Sequence, residues 1–192
     1  MEDEFVSGAE EIFQKSGAIL EGHFLLASGR HSAVYWEKFR VLQSPAYTER
    51  LCRMIANHFL GQEIQVVVGP TTGGIILAFE VARQLGVCGI FAEREGTTER
   101  AFRRGFSVDS GERVLVVDDI LTTGKSVREV MATVSKQGGI VVGIGVLVDR
   151  SEQGMDFGAP LFSCYRSMTP TYAPANCPLC AARIPLVKPG SS

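Results

Sequence analysis

Residues 114–126 restrict the fold of this chain more than any other part of its sequence. They begin with four apolar residues, three of them β-branched, which is typical of a buried parallel strand. Asp118 and Asp119 follow, and then a hydroxyl-rich run that includes Gly124. After the glycine, apolar residues recur at helical spacing. A strand that passes through a short polar turn into a helix predicts an α/β fold with a parallel central sheet.

The same stretch offers two kinds of polar group side by side. Ligands of open α/β sheets bind beyond the carboxyl ends of the strands. The N–H groups at a helix start carry partial positive charge, so residues 122–126 are candidates for binding a phosphate. The carboxylates of Asp118 and Asp119 can accept hydrogen bonds from sugar hydroxyls. The combination predicts a sugar phosphate as ligand.

A nucleoside-triphosphate loop is excluded here. Gly124-Lys125-Ser126 matches the end of a Walker A motif, but that motif requires a glycine five positions before Gly124. Asp119 stands at that position, and its carboxylate would repel a triphosphate. A plain helix cap is the other interpretation, but a cap does not need a second acid, a hydroxyl run and a glycine together.

The complete pattern resembles the phosphoribosyl pyrophosphate (PRPP) motif of the type I phosphoribosyltransferase family. The shared features are four apolar residues, two acids, two variable positions and Thr-Thr-Gly. The resemblance implies that family's fold, with helices on a parallel sheet and a small N-terminal hood. It also implies catalytic roles for the two acids. The residues assigned to PRPP in this motif are Asp118, Asp119, Ile120, Leu121, Thr122, Thr123, Gly124, Lys125 and Ser126.

Composition is that of an ordinary globular protein. The 192 residues fit a single domain, 1–192, with 45% apolar and 21% charged residues. The net charge of −2 without a basic block gives no sign of nucleic-acid binding, and no apolar run is long enough for a membrane span. The acidic N-terminus is unlike a secretory signal, and five cysteines in such a chain argue for reduced thiols. We expect a cytoplasmic protein.

Strand and helix patterns divide the chain into three parts. Short strands over about 1–42 predict the hood, residues 43–150 predict the α/β core, and residues 151–192 hold six of the eight prolines. This C-terminal extension is expected to lie extended over the body of the domain. The core and edge elements are expected as helices at 46–59 and 75–85 and strands at 64–69, 89–92, 114–117, 140–148 and 161–165.

A second candidate anion site follows the first core strand. The turn is rich in glycine, and successive N–H groups in such a turn can form an anion nest. On its own it is equally compatible with a plain tight turn. Beside the PRPP-like motif, at the same end of the sheet, it becomes a candidate for pyrophosphate. The residues are Thr71, Thr72, Gly73 and Gly74.

The polar segment 93–105 has two interpretations. It holds four arginines and three glutamates and is too long for a minimal turn. It is either a solvated loop with exchanging ion pairs or a mobile lid whose arginines close over pyrophosphate. The family resemblance implies a lid that reaches the neighbouring subunit of a homodimer. The candidates are Arg94, Arg100, Arg103 and Arg104, with Arg94 assigned to PRPP and Arg100 to catalysis.

Two features are candidates for binding the acceptor base. Arg150 ends the last core strand, where its guanidinium can bind a carboxylate through two hydrogen bonds, or can form a plain surface ion pair. Tyr35 and Trp36 belong to the hood. Because side chains alternate along a strand, one of the two can stack on a flat ring while the other packs in the core.

Longer shared motifs resemble the orotate phosphoribosyltransferase family. They lie at 25–32, 69–74, 91–95, 103–106, 114–126 and 148–150. The resemblance implies transfer of the phosphoribosyl group from PRPP to orotate, giving orotidine 5′-monophosphate and pyrophosphate. It implies orotate contacts from Thr122 and Arg150, and Mg²⁺ that is bound through PRPP without dedicated protein ligands. A phosphoribosyltransferase for another base and a non-catalytic PRPP-binding regulator remain alternatives.

Cys177 and Cys180 have the spacing of half a zinc site. A structural zinc needs four ligands, and the sequence offers no second pair of suitable spacing. His23, His31 and His58 show no ligand spacing along the chain. We therefore expect reduced thiols in a turn of the tail, while a metal shared between two copies across a dimer axis stays open.

Overall fold

The computed structural model describes residues 2–26, 28–96, 99–151 and 154–189. No helix within these ranges combines the length and apolar character needed to cross a membrane. In chain order the elements are α1 (Glu2–Lys15), β1 (Ile19–Leu25), β2 (His31–Trp36), α2 (Phe39–Leu42), α3 (Pro45–His58), β3 (Val66–Pro70), α4 (Gly73–Leu85), β4 (Cys88–Glu95), β5 (Glu99–Phe102), β6 (Arg113–Leu121), α5 (Lys125–Lys136), β7 (Ile140–Asp149), β8 (Leu161–Arg166), β9 (Thr171–Tyr172) and α6 (Pro178–Ala181).

The main sheet has the strand order β5-β4-β3-β6-β7-β8. Its neighbouring strands are parallel except for the antiparallel pair of β4 and β5. The predicted α/β class with a parallel central sheet is confirmed, and so is the edge strand predicted at 161–165. Parallel order brings the carboxyl ends of β3, β6 and β7 to one edge of the sheet, which is where such folds bind ligands.

Apolar cores cover both faces of this sheet, because successive strand residues point to opposite sides. Val67 and Leu115 pack with α1, α3 and α4 on one face, while Val68 and Val116 pack with α5 on the other. All four side chains are fully buried. The polar residues at the strand ends therefore stand on a closely packed support.

Strand β6 continues four residues beyond the predicted end at residue 117. Asp118 pairs in register with Val146, and Leu121 pairs with Asp149 of β7. The predicted end is too early because ladder pairing with β7 outweighs the low strand propensity of aspartate. Both acids are consequently held on a strand.

The segment 93–105, predicted as a polar loop, forms a β-hairpin over much of its described length. Strand β4 continues to Glu95 and pairs with β5, with Arg94 opposite Arg100. The loop prediction is wrong for these residues because charged side chains on an edge hairpin have the composition of a loop. Thr97 and Thr98 lie outside the described residues.

The hood consists of β1 and β2, which pair antiparallel as expected for the N-terminal flap. Strand β9 from the C-terminal extension adds a third strand to this small sheet. Helix α1, grouped with the hood in the sequence prediction, packs instead on the main sheet, where the ring of Phe13 lies 5.9 Å from that of Tyr165.

The C-terminal extension folds back onto the hood. The Val187 N–H donates to the carbonyl oxygen of His23 at 2.8 Å. Cys177 and Cys180 come to lie beside His23 and His31. His23 and His31 show no ligand spacing along the chain, yet the fold brings them to the two cysteines, because such spacing does not show which residues meet between the hood sheet and the tail.

Candidate active site

Asp118 and Asp119 lie side by side at the carboxyl end of β6, each only 5% exposed. Asp118 accepts hydrogen bonds from the Asp119 N–H at 2.8 Å and from the Ser126 hydroxyl at 2.7 Å. Asp119 accepts one from the Ile120 N–H at 2.7 Å. The acid pair is therefore in direct contact with the start of α5, as the sequence predicted.

Asp118 is a titrating group of the site. Burial and, next, the charge of Asp119 raise the pKa of the Asp118 carboxyl to about 7. The hydrogen bond from Ser126 acts in the opposite direction. A carboxyl with this pKa exchanges its proton near neutral pH, and groups with strongly shifted pKa values are common in active sites.

Lys38 belongs to the site and was missed by the sequence predictions. It precedes α2, and its Nζ lies 2.7 Å from Oδ2 of Asp119. About a third of its side chain is exposed, at 34%. The lysine neutralises one of the two acids, which allows both to be buried together. The sequence signal was weak: a single lysine soon after the second hood strand.

Residues 122–126 form the predicted phosphate loop between β6 and α5. The first turn of α5, which begins at Lys125, has no side-chain cap, so its N–H groups can bind an anion. Gly124 has a φ of +72°, and a Cβ there would lie 2.8 Å from Sδ of Met155. Only glycine fits this position. Thr122 and Thr123 are exposed.

The turn between β3 and α4 lies against the acid pair. A Cβ on Gly73 would lie 2.0 Å from Oδ2 of Asp119, and one on Gly69 would lie 2.1 Å from the Gly74 carbonyl oxygen. These glycines are therefore required by close packing. The predicted pyrophosphate turn comprises Thr71 and Thr72, joined by a cis peptide bond, with Gly73 and Gly74. The two predicted anion loops meet at one edge of the sheet.

Arg150 follows β7 at the same edge. One of its terminal nitrogens, Nη2, lies 3.4 Å from Oγ of Ser32 in the hood. Its Nε is buried and has no hydrogen-bond partner among the described residues. Burial lowers the pKa of this guanidinium, although an arginine stays charged in proteins. A buried cationic donor of this kind favours an anionic ligand.

The hood aromatics point to opposite sides of β2. Trp36 is 4% exposed, and its ring lies 5.0 Å from that of Phe13 and 5.4 Å from that of Tyr165. Tyr35 is half-buried and borders the cavity described below. Trp36 also borders that cavity but offers little surface for stacking. Trp36 packs mainly in the core, and its assignment to the base stays a prediction.

Arg100 lies beneath the pyrophosphate turn, with a side chain only 3% exposed. Its Nε donates to Oε2 of Glu129 at 3.1 Å, and Nη1 donates to the Ala92 carbonyl at 3.2 Å and to the Thr71 hydroxyl at 3.4 Å. Burial and these contacts turn the guanidinium away from solvent. The catalytic role of Arg100 stays a prediction, and its contact with Thr71 favours a positioning role.

The exposed hairpin arginines differ in their pairing. Arg103 pairs with Glu95 at 3.0 Å, and Arg104 pairs with Glu93 at 2.7 Å. These are the surface ion pairs of the solvated interpretation. The side chain of Arg94 is exposed and has no ion-pair or hydrogen-bond partner among the described residues. It is the hairpin arginine best placed to meet a ligand.

A cavity of about 740 Å³ separates the hood from the strand ends. Its volume lies in the range of small-molecule sites. Hood residues form one wall, and residues after β6 and β7 form the other. The polar lining includes Arg30, Tyr35, Lys38, Thr122, Thr123 and Arg150.

A family model and two curated relatives show what this chain is similar to. The family described as "Phosphoribosyl transferase domain" matches residues 40–166. The orotate phosphoribosyltransferase of Pelotomaculum thermopropionicum is 56% identical over 180 residues, covering 94% of each chain. The orotate phosphoribosyltransferase of Caldanaerobacter subterraneus subsp. tengcongensis is 52% identical over 181 residues, covering 94% of this chain and 95% of that one.

Solved structures show the same fold. The crystal structure of orotate phosphoribosyltransferase from Aeropyrum pernix has a TM-score of 0.67 at 28% identity and covers 81% of this chain and 92% of that one. Adenine phosphoribosyltransferase from Rhodothermus marinus has a TM-score of 0.66 at 21% identity, covering 84% of this chain and 99% of that one. The second likeness concerns the fold alone.

Proposed function

This chain belongs to the orotate phosphoribosyltransferase family. We propose that it transfers the phosphoribosyl group of PRPP to orotate in pyrimidine biosynthesis, and that the reaction takes place in the cavity. The products are orotidine 5′-monophosphate and pyrophosphate. The observation that carries this proposal is Arg150, whose buried Nε has no partner among the described residues and which borders the cavity. An anion site for the base thus lies at the same edge of the sheet as the acid pair, across the cavity from a phosphate loop suited to a sugar phosphate.

The base is held from the hood side of the cavity. Nε and a terminal nitrogen of Arg150 offer two parallel donors, which match a carboxylate. Tyr35 presents a half-buried ring that can stack on the flat pyrimidine. Thr122 borders the same cavity and supplies a hydroxyl to the base. A purine carries no carboxylate and would leave Arg150 unpaired.

The ribose 5-phosphate is held from the sheet side. The N–H groups at the start of α5 and the hydroxyls of Thr122 and Thr123 bind the phosphate. Asp118 and Asp119 accept hydrogen bonds from the ribose hydroxyls, which replace the contacts from Ser126 and Lys38. The displaced Lys38 ammonium is then free to approach the phosphates of PRPP.

Pyrophosphate is bound by the turn of Thr71, Thr72, Gly73 and Gly74. Gly73 leaves no space for a side chain, so backbone N–H groups must carry this interaction. Arg94 supplies a positive charge from the hairpin. In a homodimer this hairpin reaches the site of the neighbouring subunit. Ile76 and Phe79, 38% and 68% exposed on one face of α4, are apolar candidates for the dimer contact.

The donor set at the strand ends suits magnesium. Mg²⁺ prefers oxygen ligands and keeps much of its water, and this edge offers the carboxylates of Asp118 and Asp119 and the hydroxyls of Thr71 and Thr72. The ion would be held mainly by oxygens of PRPP and by water, with the carboxylates of Asp118 and Asp119 beside it. When bound, it neutralises charge that develops on pyrophosphate.

Transfer proceeds by displacement at the anomeric carbon. A ring nitrogen of orotate forms the new bond to this carbon as the bond to pyrophosphate breaks, and the sugar passes through an oxocarbenium-like state. The proton of that ring N–H is released to water. The ionised acids stabilise the positive charge near the ring, while Arg150 and the phosphate loop fix the distance between the reactants. Arginines of the segment 93–105, closing over pyrophosphate, exclude water that would otherwise hydrolyse PRPP.

An absorbance assay tests the proposal. The protein is mixed with PRPP, Mg²⁺ and either orotate or hypoxanthine, and the ultraviolet change that follows base consumption is recorded. We expect turnover with orotate and none with hypoxanthine. In the Asp118→Asn, Asp119→Asn double variant we expect the turnover number to fall at least about 100-fold, because oxocarbenium stabilisation and sugar positioning are both removed.

The alternatives predict different results. Turnover with hypoxanthine and none with orotate would reassign the enzyme to a purine. PRPP binding without pyrophosphate release with either base would favour a regulator. Circular dichroism of the double variant provides the folding control.

A reducing compartment such as the cytoplasm is proposed on separate grounds, because all five cysteines are free of disulfides.

A further inference from the structure

Four potential metal ligands from distant parts of the chain converge outside the cavity. His23 lies in β1 and His31 in β2, while Cys177 precedes α6 and Cys180 lies within it. One ligand atom from each lies within 4.8 Å of the others. His23, His31 and Cys177 are buried, whereas Cys180 is exposed and leaves an entry route.

Four of the six distances between these atoms are close to those of a tetrahedral site, and the other two are at most 4.8 Å. Zinc–nitrogen and zinc–sulfur bonds of about 2.05 and 2.3 Å at tetrahedral angles separate nitrogen from sulfur by about 3.5 Å and two nitrogens by about 3.3 Å. Nε2 of His23 lies 3.6 Å from Sγ of Cys177 and 3.7 Å from Sγ of Cys180. Nδ1 of His31 lies 3.4 Å from Sγ of Cys180 and 3.0 Å from Nε2 of His23.

The second nitrogen of His23 is oriented as in a metal ligand. Nδ1 of His23 lies 2.7 Å from the carbonyl oxygen of Ile184. A carbonyl can only accept, so Nδ1 carries the proton and the lone pair of Nε2 points into the cluster. Histidines that bind metals commonly donate their other N–H to a backbone carbonyl or carboxylate in this way.

A cluster of hydrogen bonds alone satisfies these groups poorly. The single lone pair of His23 Nε2 faces His31 Nδ1 and two thiols, and it can accept fully from only one of them. One cation between the four atoms would engage every lone pair at once. Two thiolates and two imidazoles in tetrahedral arrangement are a ligand set typical of zinc.

We propose that His23, His31, Cys177 and Cys180 bind one structural Zn²⁺ ion that fastens the C-terminal extension to the hood. Four protein ligands close the coordination sphere, which is typical of a structural and not a catalytic zinc. The ion adds to the other contacts between the hood and the C-terminal extension, which include two bridge pairs of β9 with β2, the isolated bridge of Phe24 with Val187 and the hydrogen bonds from Arg30 to Thr171.

The site also supports the base pocket. His31 directly precedes Ser32, whose hydroxyl contacts Arg150, and Ser32 pairs with Thr171 of β9. Thr171 in turn accepts hydrogen bonds from Arg30, a residue that lines the cavity. Loss of zinc is therefore expected to raise the KM for orotate more than the KM for PRPP. This part of the inference rests on the proposed function, whereas zinc binding does not.

Metal analysis of the untagged full-length protein tests the site directly. We expect about one zinc per chain after purification with a reductant, and less than about one tenth of that in Cys180→Ser, because the variant loses a thiolate ligand. The matched control is Cys88→Ser, which removes an exposed thiol outside the cluster and should keep its zinc.

Cobalt substitution gives a second measurement that needs no variant. The apoprotein reconstituted with Co²⁺ should show the visible bands of tetrahedral cobalt and a near-ultraviolet thiolate-to-cobalt band. Wild-type protein that is purified without zinc and shows neither band would overturn the proposal. A zinc content of about one ion per chain in both single variants, Cys177→Ser and Cys180→Ser, would also overturn it. Intact zinc with no orotate turnover would refute the proposed function and leave the metal site standing.

Discussion

Asp118 connects activity with stability at the scale of a single side chain. Its pKa, raised to about 7 by burial and by Asp119, exceeds the ordinary value of 3.8. The folded protein therefore binds a proton more tightly than the unfolded chain, and this carboxyl lowers stability increasingly as the pH rises from about 4 to about 7. The full loss of unfolding free energy that comes from burying ionised Asp118 is present at pH values above the folded-state pKa.

Asp118→Asn should stabilise the protein at high pH. An amide can accept from the Asp119 N–H, donate to Ser126 and avoid the buried charge. We expect a gain in unfolding free energy of more than about 1 kcal/mol at pH 8 and little change at pH 4, measured by urea unfolding. The exposed Asp109→Asn should change stability equally at both pH values. A gain for Asp118→Asn that does not depend on pH would contradict the explanation.

Arg150→Lys tests whether the fork of donors recognises the base. Lysine keeps the charge but loses the paired donors, so we expect the KM for orotate to rise about 10- to 100-fold, as for the loss of one charge-assisted hydrogen bond. The KM for PRPP should stay nearly constant. Arg53→Lys, at an exposed ion pair with Glu49, is the control. Equal increases in both KM values would argue against a carboxylate contact.

At this scale the sequence predicted residues that stand in a strong local pattern. The carboxyl end of buried strand β6 carries Asp118 and Asp119, and Arg150 follows β7. The sheet topology brings all three to one edge. Lys38 has no such pattern and enters the site through a salt bridge across two elements. Alternation along β2 separated the roles of Tyr35 and Trp36, but it could not decide which of them faces the core.

The elements were predictable where one period dominated. The strands and helices from β3 to β8 follow apolar runs and helical spacing, and their bounds differ from prediction by a few residues. The hairpin of β4 and β5 was not predictable, because its charged residues resemble a solvated loop. What makes it a strand pair is tertiary: Arg100 turns inward to meet Glu129 of α5.

Glu129→Gln should uncouple this hairpin from the pyrophosphate turn. The change leaves a buried arginine without its charge partner, which costs about 3 kcal/mol, and it loosens the contact of Arg100 with Thr71. We expect lower thermal stability and a KM for PRPP at least about 5-fold higher, with the KM for orotate nearly unchanged.

Glu95→Gln is the matched control in the same hairpin. Glu95 pairs with Arg103 at the surface, where both side chains are about half exposed, at 52% and 53%. Such pairs contribute between about 0 and 1 kcal/mol, so stability and both KM values should hardly change. Similar effects from the two substitutions would mean that Arg100 does not position the turn.

At the scale of the whole molecule, local sequence patterns predicted the parallel sheet. They did not predict the contact between the N-terminal hood and the C-terminal extension. His23 and Cys177 are 154 residues apart, and no spacing rule relates them. Along the chain the histidines show no ligand spacing, and the two cysteines have the spacing of only half a zinc site. Only the return of the C-terminal extension across the hood brings the four together.

That return has a consequence for the order in which the molecule is completed. Strand β2 is among the first segments to be synthesised, yet its outer neighbour β9 is made near the end of translation. A nascent chain that stops at residue 166 already contains the six strands that carry the acids and both anion loops. The hood side of the cavity, where we propose that the base binds, is finished only after residues 171–187 leave the ribosome.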